Sequence, residues 1–134
     1  MKQIRIIFPS SLGESRLLDL AAPRVHELGF DPLFVPPARH EGKYLQPSII
    51  ERSSTLESAL REDGVEAVFC GRGGYGASEL LPHLDWQQLS NTAPKWLVGF
   101  SDISAIHSAT YTKLGWLSIH APMPATTLWG ENGR

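Results

Sequence analysis

Residues 65–76 read Val65-Glu66-Ala67-Val68-Phe69-Cys70-Gly71-Arg72-Gly73-Gly74-Tyr75-Gly76. A mostly apolar, β-branched run passes without a break into four glycines in six positions. Such a run reads as a strand buried on both faces, the type found in parallel sheets. The glycines mark a loop that bends sharply or lets something approach its backbone. Ala77 to Leu84 then has the spacing of a short helix, with Pro82 near its end. Strand, glycine loop and helix form half of a β-α-β unit, and the same alternation continues on both sides.

Upstream, the run Ile4 to Phe8 is closed by Pro9-Ser10-Ser11 and Gly13. Leu17, Leu20, Ala21, Val25 and Leu28 follow at three- and four-residue steps, with Gly29 where a C-terminal cap belongs. Pro23 lies inside this pattern and predicts a kink or a restart, because it removes a backbone donor. Phe30 to Val35 reads as a second strand ended by Pro36-Pro37, and Ala38 to Pro47 as a polar loop. Ile49, Ile50, Leu56 and Leu60 predict a helix reaching Asp63-Gly64, with a weakly helical middle at Arg52-Ser53-Ser54-Thr55. Downstream, Asp85 to Pro94 reads as a linker, Trp96 to Phe100 as a strand, Asp102 to Leu114 as a helix closed by Gly115, and Trp116 to Ile119 as the last strand. The implied class is α/β, a mostly parallel, flavodoxin-like sheet with helices on both faces. Ligands of such sheets bind beyond the carboxyl ends of the strands, so the strand-to-helix turns are the places to look for chemistry.

A chain of 134 residues is one domain's worth. At that size folding buries roughly two-thirds of the unfolded surface, enough for a core without disulfides or metal. Twelve Lys+Arg against 14 Asp+Glu, with no basic run, argue against nucleic acid or an anionic membrane as the main partner. A small molecule or another protein is expected instead. The single cysteine, Cys70, cannot form an intrachain disulfide and has no histidines at zinc-ligand spacing, so a reducing compartment, no structural metal and no cofactor are expected. The N-terminal stretch carries a charge inside its apolar run and is too short for a signal-peptide core or a membrane span, which predicts a cytoplasmic protein.

Gly99-Phe100-Ser101-Asp102-Ile103 has the first four positions of the G-x-S-x-G elbow, in which a serine sits on a strained strand-to-helix turn with its hydroxyl exposed. Ile103 departs from the fifth. The elbow predicts an unfavourable backbone conformation at Ser101, and the helix start after it offers N–H groups to a developing oxyanion. Ser101 or Asp102 could instead simply cap that helix. Gly71, Gly73 and Gly76 also fit G-x-G-x-x-G. The loop follows the third strand rather than the first, however, and the residues around Trp96 and Leu97 hold no acid for a ribose, which weakens a dinucleotide reading. A plain tight turn, or a catalytic loop whose N–H groups face Ser101, remains open.

Four segments together carry a resemblance: Cys70 to Gly76, Leu80-Leu81-Pro82-His83-Leu84-Asp85-Trp86, Val98-Gly99-Phe100-Ser101-Asp102-Ile103-Ser104, and His120-Ala121-Pro122-Met123. In this order they resemble the amino-terminal domain of LD-carboxypeptidases, the muramoyltetrapeptide carboxypeptidase family of serine peptidases, over nearly the whole chain. The resemblance implies a cytoplasmic, usually dimeric enzyme that removes the terminal D-alanine from a murein tetrapeptide during peptidoglycan recycling. A related branch hydrolyses a peptide-nucleotide antibiotic, and a non-catalytic ligand-binding module is the rival from another class.

By that resemblance Ser101 is the nucleophile and the backbone N–H of Asp102 one oxyanion donor. Gly74 is the choice for the second donor, with Gly73 as the alternative. The family completes its triad with a glutamate and a histidine from a carboxy-terminal domain, which residues 1–134 do not include. Ala121 stands where the family commonly has glycine. His107 lies six residues after Ser101 on the predicted helix, about 9 Å along its axis and roughly 240° around it, and so cannot take the serine's proton. His120 reads as structural or substrate-adjacent rather than as a base. Cys70 reads as a buried small hydrophobe, and Trp86, Trp96, Trp116 and Trp129 as core or domain-interface residues. Three expectations follow. Gly73 and Gly74 should lie close to Ser101, the chain alone should hydrolyse tetrapeptide negligibly, and the face meant for the second domain should be apolar.

Overall fold

The computed structural model describes residues 1–35 and 46–130. Most of the polar loop expected over Ala38–Pro47 lies outside the described residues. The elements, in order, are β1 (Gln3–Ile7), α1 (Ser15–Glu27), β2 (Asp31–Leu33), α2 (Ile49–Arg61), β3 (Val65–Cys70), a 3-10 helix (Ala77–His83), α3 (Trp86–Ser90), β4 (Trp96–Gly99), a 3-10 turn (Ser101–Ile103), α4 (Ser104–Leu114) and β5 (Ser118–His120). Every described strand pair is parallel, and the sheet order is β2-β1-β3-β4-β5. This is the flavodoxin-like order, in which the connections leaving β1 and β3 pass to opposite faces.

Alternation along the strands divides the core in two. Ile4, Ile6 and Phe8 pack with Ala67 under α1, while Ile7, Val68, Cys70 and Leu97 pack against α2, α4 and the 3-10 helix. α1 is one continuous helix through Pro23, neither restarted nor broken, and Leu17, Leu18, Ala21 and Val25 are buried along it. A proline in a helix costs about 3 kcal/mol, which the burial of Leu17, Leu18 and Val25 together outweighs at roughly 1.5–3 kcal/mol for each large side chain. Gly29 takes a φ of 90° just past the helix, as its cap position requires. The segment read as a linker contains α3, capped by the Asp85 carboxylate on Gln88 N–H. The helix expected over Ala77–Leu84 is a 3-10 helix.

The two faces are covered unequally. On the α1 side, a groove of about 600 Å³ runs along the sheet, lined by Ile4, Phe69, Trp96, Val98, Ile119 and Trp129 among others. Trp96 is 47% exposed and Ile119 42%. Trp96 and Trp129 thus border an open apolar face, Trp116 is in the core, and no described helix is long and apolar enough to cross a membrane.

Candidate active site

Ser101 is separated from β4 by one residue, Phe100, and has a φ of 60°, the only non-glycine residue with positive φ among those described. For an L-residue this conformation costs about 1–3 kcal/mol and persists only where the surroundings enforce it. Phe100 before it is fully extended, with φ −156°. Ile103 after it is completely buried in the core. Ser101 is exposed between them, and its hydroxyl caps neither the 3-10 turn nor α4. The first bond of the turn runs from Ile103 N–H to the Phe100 carbonyl at 3.4 Å, so the N–H groups of Ser101 and Asp102 precede it.

Close approach of strand and helix, which an elbow needs, comes from its first glycine rather than its fifth. A Cβ on Gly99 would lie 3.1 Å from Ile103 Cγ2 and 3.2 Å from Cys70 Cβ. Ile103 therefore fills the space under the turn, and its departure from the pattern is accommodated there.

The glycine loop stands beside Ser101. A Cβ on Gly73 would be 3.5 Å from Ser101 Cβ and 3.6 Å from the Phe100 carbonyl. On its other side the Gly73 carbonyl accepts the Ser11 N–H at 3.2 Å. No described peptide bond is cis. In a trans peptide the N–H points opposite to the carbonyl, so the Gly74 N–H is directed away from the Ser11 N–H. Gly74 itself has φ 122°, and a Cβ there would come within 2.4 Å of Ser11 Oγ. Only glycine fits. The same contacts close the crevice between the β1 and β3 loops, where a doubly wound sheet usually admits a nucleotide.

The Asp102 carboxylate does not cap its own helix. Its Oδ2 accepts the Ser10 hydroxyl at 2.5 Å and the Ala77 N–H at 2.9 Å. Arg52 lies beneath, 3% exposed, donating from Nε to the Pro47 carbonyl at 2.9 Å and from Nη1 to the carbonyls of Pro9 (3.0 Å) and Gly76 (3.2 Å). Burial pushes its guanidinium below the ordinary value, while Glu79 and Asp102 act in the opposite sense. Gln46 Nε2 adds donors to the Ser10 carbonyl at 3.1 Å and to Tyr75 at 2.6 Å. The sequence reading passed over Ser10, Ser11, Gln46 and Arg52. A signal existed for Arg52: it shares four-residue spacing with Leu56 and Leu60, the buried face of α2.

His107 and His120 lie elsewhere. Their rings meet edge-on with centroids 5.9 Å apart, and His120 also rests against Phe100 at 6.0 Å. His107 is half-buried, its Nε2 has no partner, and burial together with His120 lowers its pKa. Cys70 is fully buried, which pushes its thiol well above the ordinary range. No described cluster of three or more His, Cys, Asp or Glu could hold a metal ion.

The model of the LD-carboxypeptidase N-terminal domain matches residues 4–121. The chain belongs to this family. It is 33% identical over 121 residues to the murein tetrapeptide carboxypeptidase of Pseudomonas aeruginosa, covering 90% of this chain and 39% of that protein. Among solved structures, muramoyltetrapeptide carboxypeptidase from Oxalobacter formigenes superposes with a TM-score of 0.79 at 27% identity, over 96% of this chain and 44% of the other. An MccF-like protein from Bacillus anthracis gives 0.81 at 33% identity, over 92% and 38%. The chain thus spans less than half the length of each of these relatives.

Proposed function

We propose that residues 1–134 form the nucleophile-bearing domain of a serine LD-carboxypeptidase that releases the terminal D-alanine of murein tetrapeptide. The observation carrying this reading is the exposed, left-handed Ser101 directly beside Gly73. Ser101 Oγ attacks the carbonyl of the penultimate residue, and the N–H groups of Asp102 and Gly74 receive the charge on its oxygen. The tetrahedral intermediate collapses to an acyl-enzyme as the C–N bond breaks, and D-alanine leaves with the proton taken from Ser101. Water then releases the shortened peptide. The histidine and glutamate that move these protons belong to a carboxy-terminal domain, in keeping with the 39% of the Pseudomonas relative that this chain spans. A cytoplasmic homodimer acting in peptidoglycan recycling completes the reading.

D-alanine release by the complete enzyme, with Ser101→Ala as control, tests it. No described histidine is placed here as the base for Ser101, and the 134-residue chain alone should give negligible turnover. Vigorous release by the purified chain would overturn the two-domain triad and bring His120 back as the base. The MccF-like neighbour, at 33% identity, favours a second reading as a hydrolase of a peptide-nucleotide antibiotic. Faster turnover of such a conjugate than of tetrapeptide would establish that instead.

A further inference from the structure

Three strand-end loops converge on one oxygen atom. Asp102 Oδ2 accepts the Ser10 hydroxyl from the β1 loop and the Ala77 N–H from the β3 loop, while Asp102 itself belongs to the β4 turn. Ser10 is completely buried and 92 residues away in sequence. Its only side-chain bond among the described residues is this one, at the short distance typical of a hydroxyl donating to a carboxylate.

We propose that Ser10 and Asp102 are a positioning pair. Their bond holds the Ser101 turn in its left-handed conformation and sets the Asp102 N–H against the Gly74 N–H. The inference rests on the reading of Ser101 as nucleophile. Ser101 needs an external restraint because its φ of 60° is unfavourable. Ile103, buried in the core, restrains the turn from below. The Asp102 side chain restrains it laterally, on the residue whose N–H immediately follows the nucleophile. Ser10 also adjoins Ser11, whose N–H orients the Gly73–Gly74 peptide through the Gly73 carbonyl. One short segment, Ser10-Ser11, therefore references both proposed oxyanion donors to the same loop. The charge of Asp102 faces Arg52 as well as its two hydrogen-bond donors, and the buried Arg52 fixes the Pro9 carbonyl beside Ser10.

Because a single oxygen accepts both bonds, an amide oxygen in its place can accept both too. This orders three variants of the complete enzyme. Asp102→Ala should lower kcat about a hundredfold, Ser10→Ala about tenfold, and Asp102→Asn less than either, with KM within threefold in all cases. Rates are referred to the folded fraction measured by circular dichroism, so loss of folding is not counted as loss of chemistry. Asp102→Ala retaining kcat within twofold, or Asp102→Asn being as damaging as Asp102→Ala, would overturn the proposal. A readout independent of turnover is the crystal structure of the Ser10→Ala chain. Departure of Ser101 from positive φ is expected, and an unchanged turn overturns the positioning role. If the wild-type enzyme does not release D-alanine, the proposed function fails, yet this structural arm still decides whether Ser10 and Asp102 hold the turn.

Discussion

The backbone N–H of Ser11 donates to the carbonyl of Gly73 at 3.2 Å, and in a trans peptide this bond turns the Gly74 N–H away from Ser11. A semisynthetic enzyme with glycolic acid at position 74 loses that N–H, and its Gly73 carbonyl, now an ester, accepts the Ser11 N–H more weakly. Its kcat should fall about 10²–10³-fold, the usual effect of removing one oxyanion donor, with little change in KM. Gly74→Pro is a poorer probe, because proline cannot adopt the φ of 122° found there.

Neighbouring glycines should respond differently to alanine. Gly74→Ala meets Ser11 Oγ at 2.4 Å in a left-handed backbone and should unfold at markedly lower denaturant. At Gly73 the nearest atoms to a new methyl are at 3.4–3.6 Å, an ordinary contact. Gly73→Ala should therefore stay within about 1 kcal/mol of wild type. Its methyl lies beside Ser101, so kcat/KM should drop. Urea titration and steady-state kinetics on the same preparations check both statements.

Strain at Ser101 is measurable without substrate. Neither Ser101→Ala nor Ser101→Gly has a hydroxyl, but only glycine relaxes the φ of 60°. The glycine variant should be the more stable of the two by about 1 kcal/mol by chemical denaturation. Equal stability would mean that the turn is not strained.

Arg52→Met should cost about 3 kcal/mol or more, since it leaves the carbonyls of Pro9, Pro47 and Gly76 without their buried donors. Arg52→Lys should recover little of this, because one ammonium cannot reproduce the forked geometry. Thermal unfolding of the three proteins distinguishes these outcomes.

Acid should weaken the fold in two stages. The His107 pKa is depressed by burial and by His120, so its stabilising contribution is complete above the ordinary 6.5 and is lost as pH falls through the folded-state value. Glu62 is depressed by its hydrogen bond from Arg5 and acts in the same direction at lower pH, below its ordinary 4.5. His107→Phe should flatten the first stage and Glu62→Gln the second, as followed by unfolding free energy against pH.

Much of the sheet was legible because its strands are apolar runs punctuated by glycine and proline. The edges were not. β5 begins two residues later and ends one residue later than the expected Trp116–Ile119, since Trp116 turns into the core instead of joining the sheet. Ser101 and the glycine loop were readable as local patterns. Ser10 and Arg52 were not, because what they do depends on partners from other loops, and nothing in the spacing of a serine or an arginine along its own segment reveals an acceptor 92 or 43 residues away.

That separation also orders events in time. As the chain is synthesised, β1 emerges long before β4, and the Ser10 hydroxyl has no acceptor until Asp102 arrives. Contacts of such long range form late, after the loop between them has closed. The Ser101 turn should thus be among the last features to mature. Reactivity at this serine would report completed folding more stringently than helix content does.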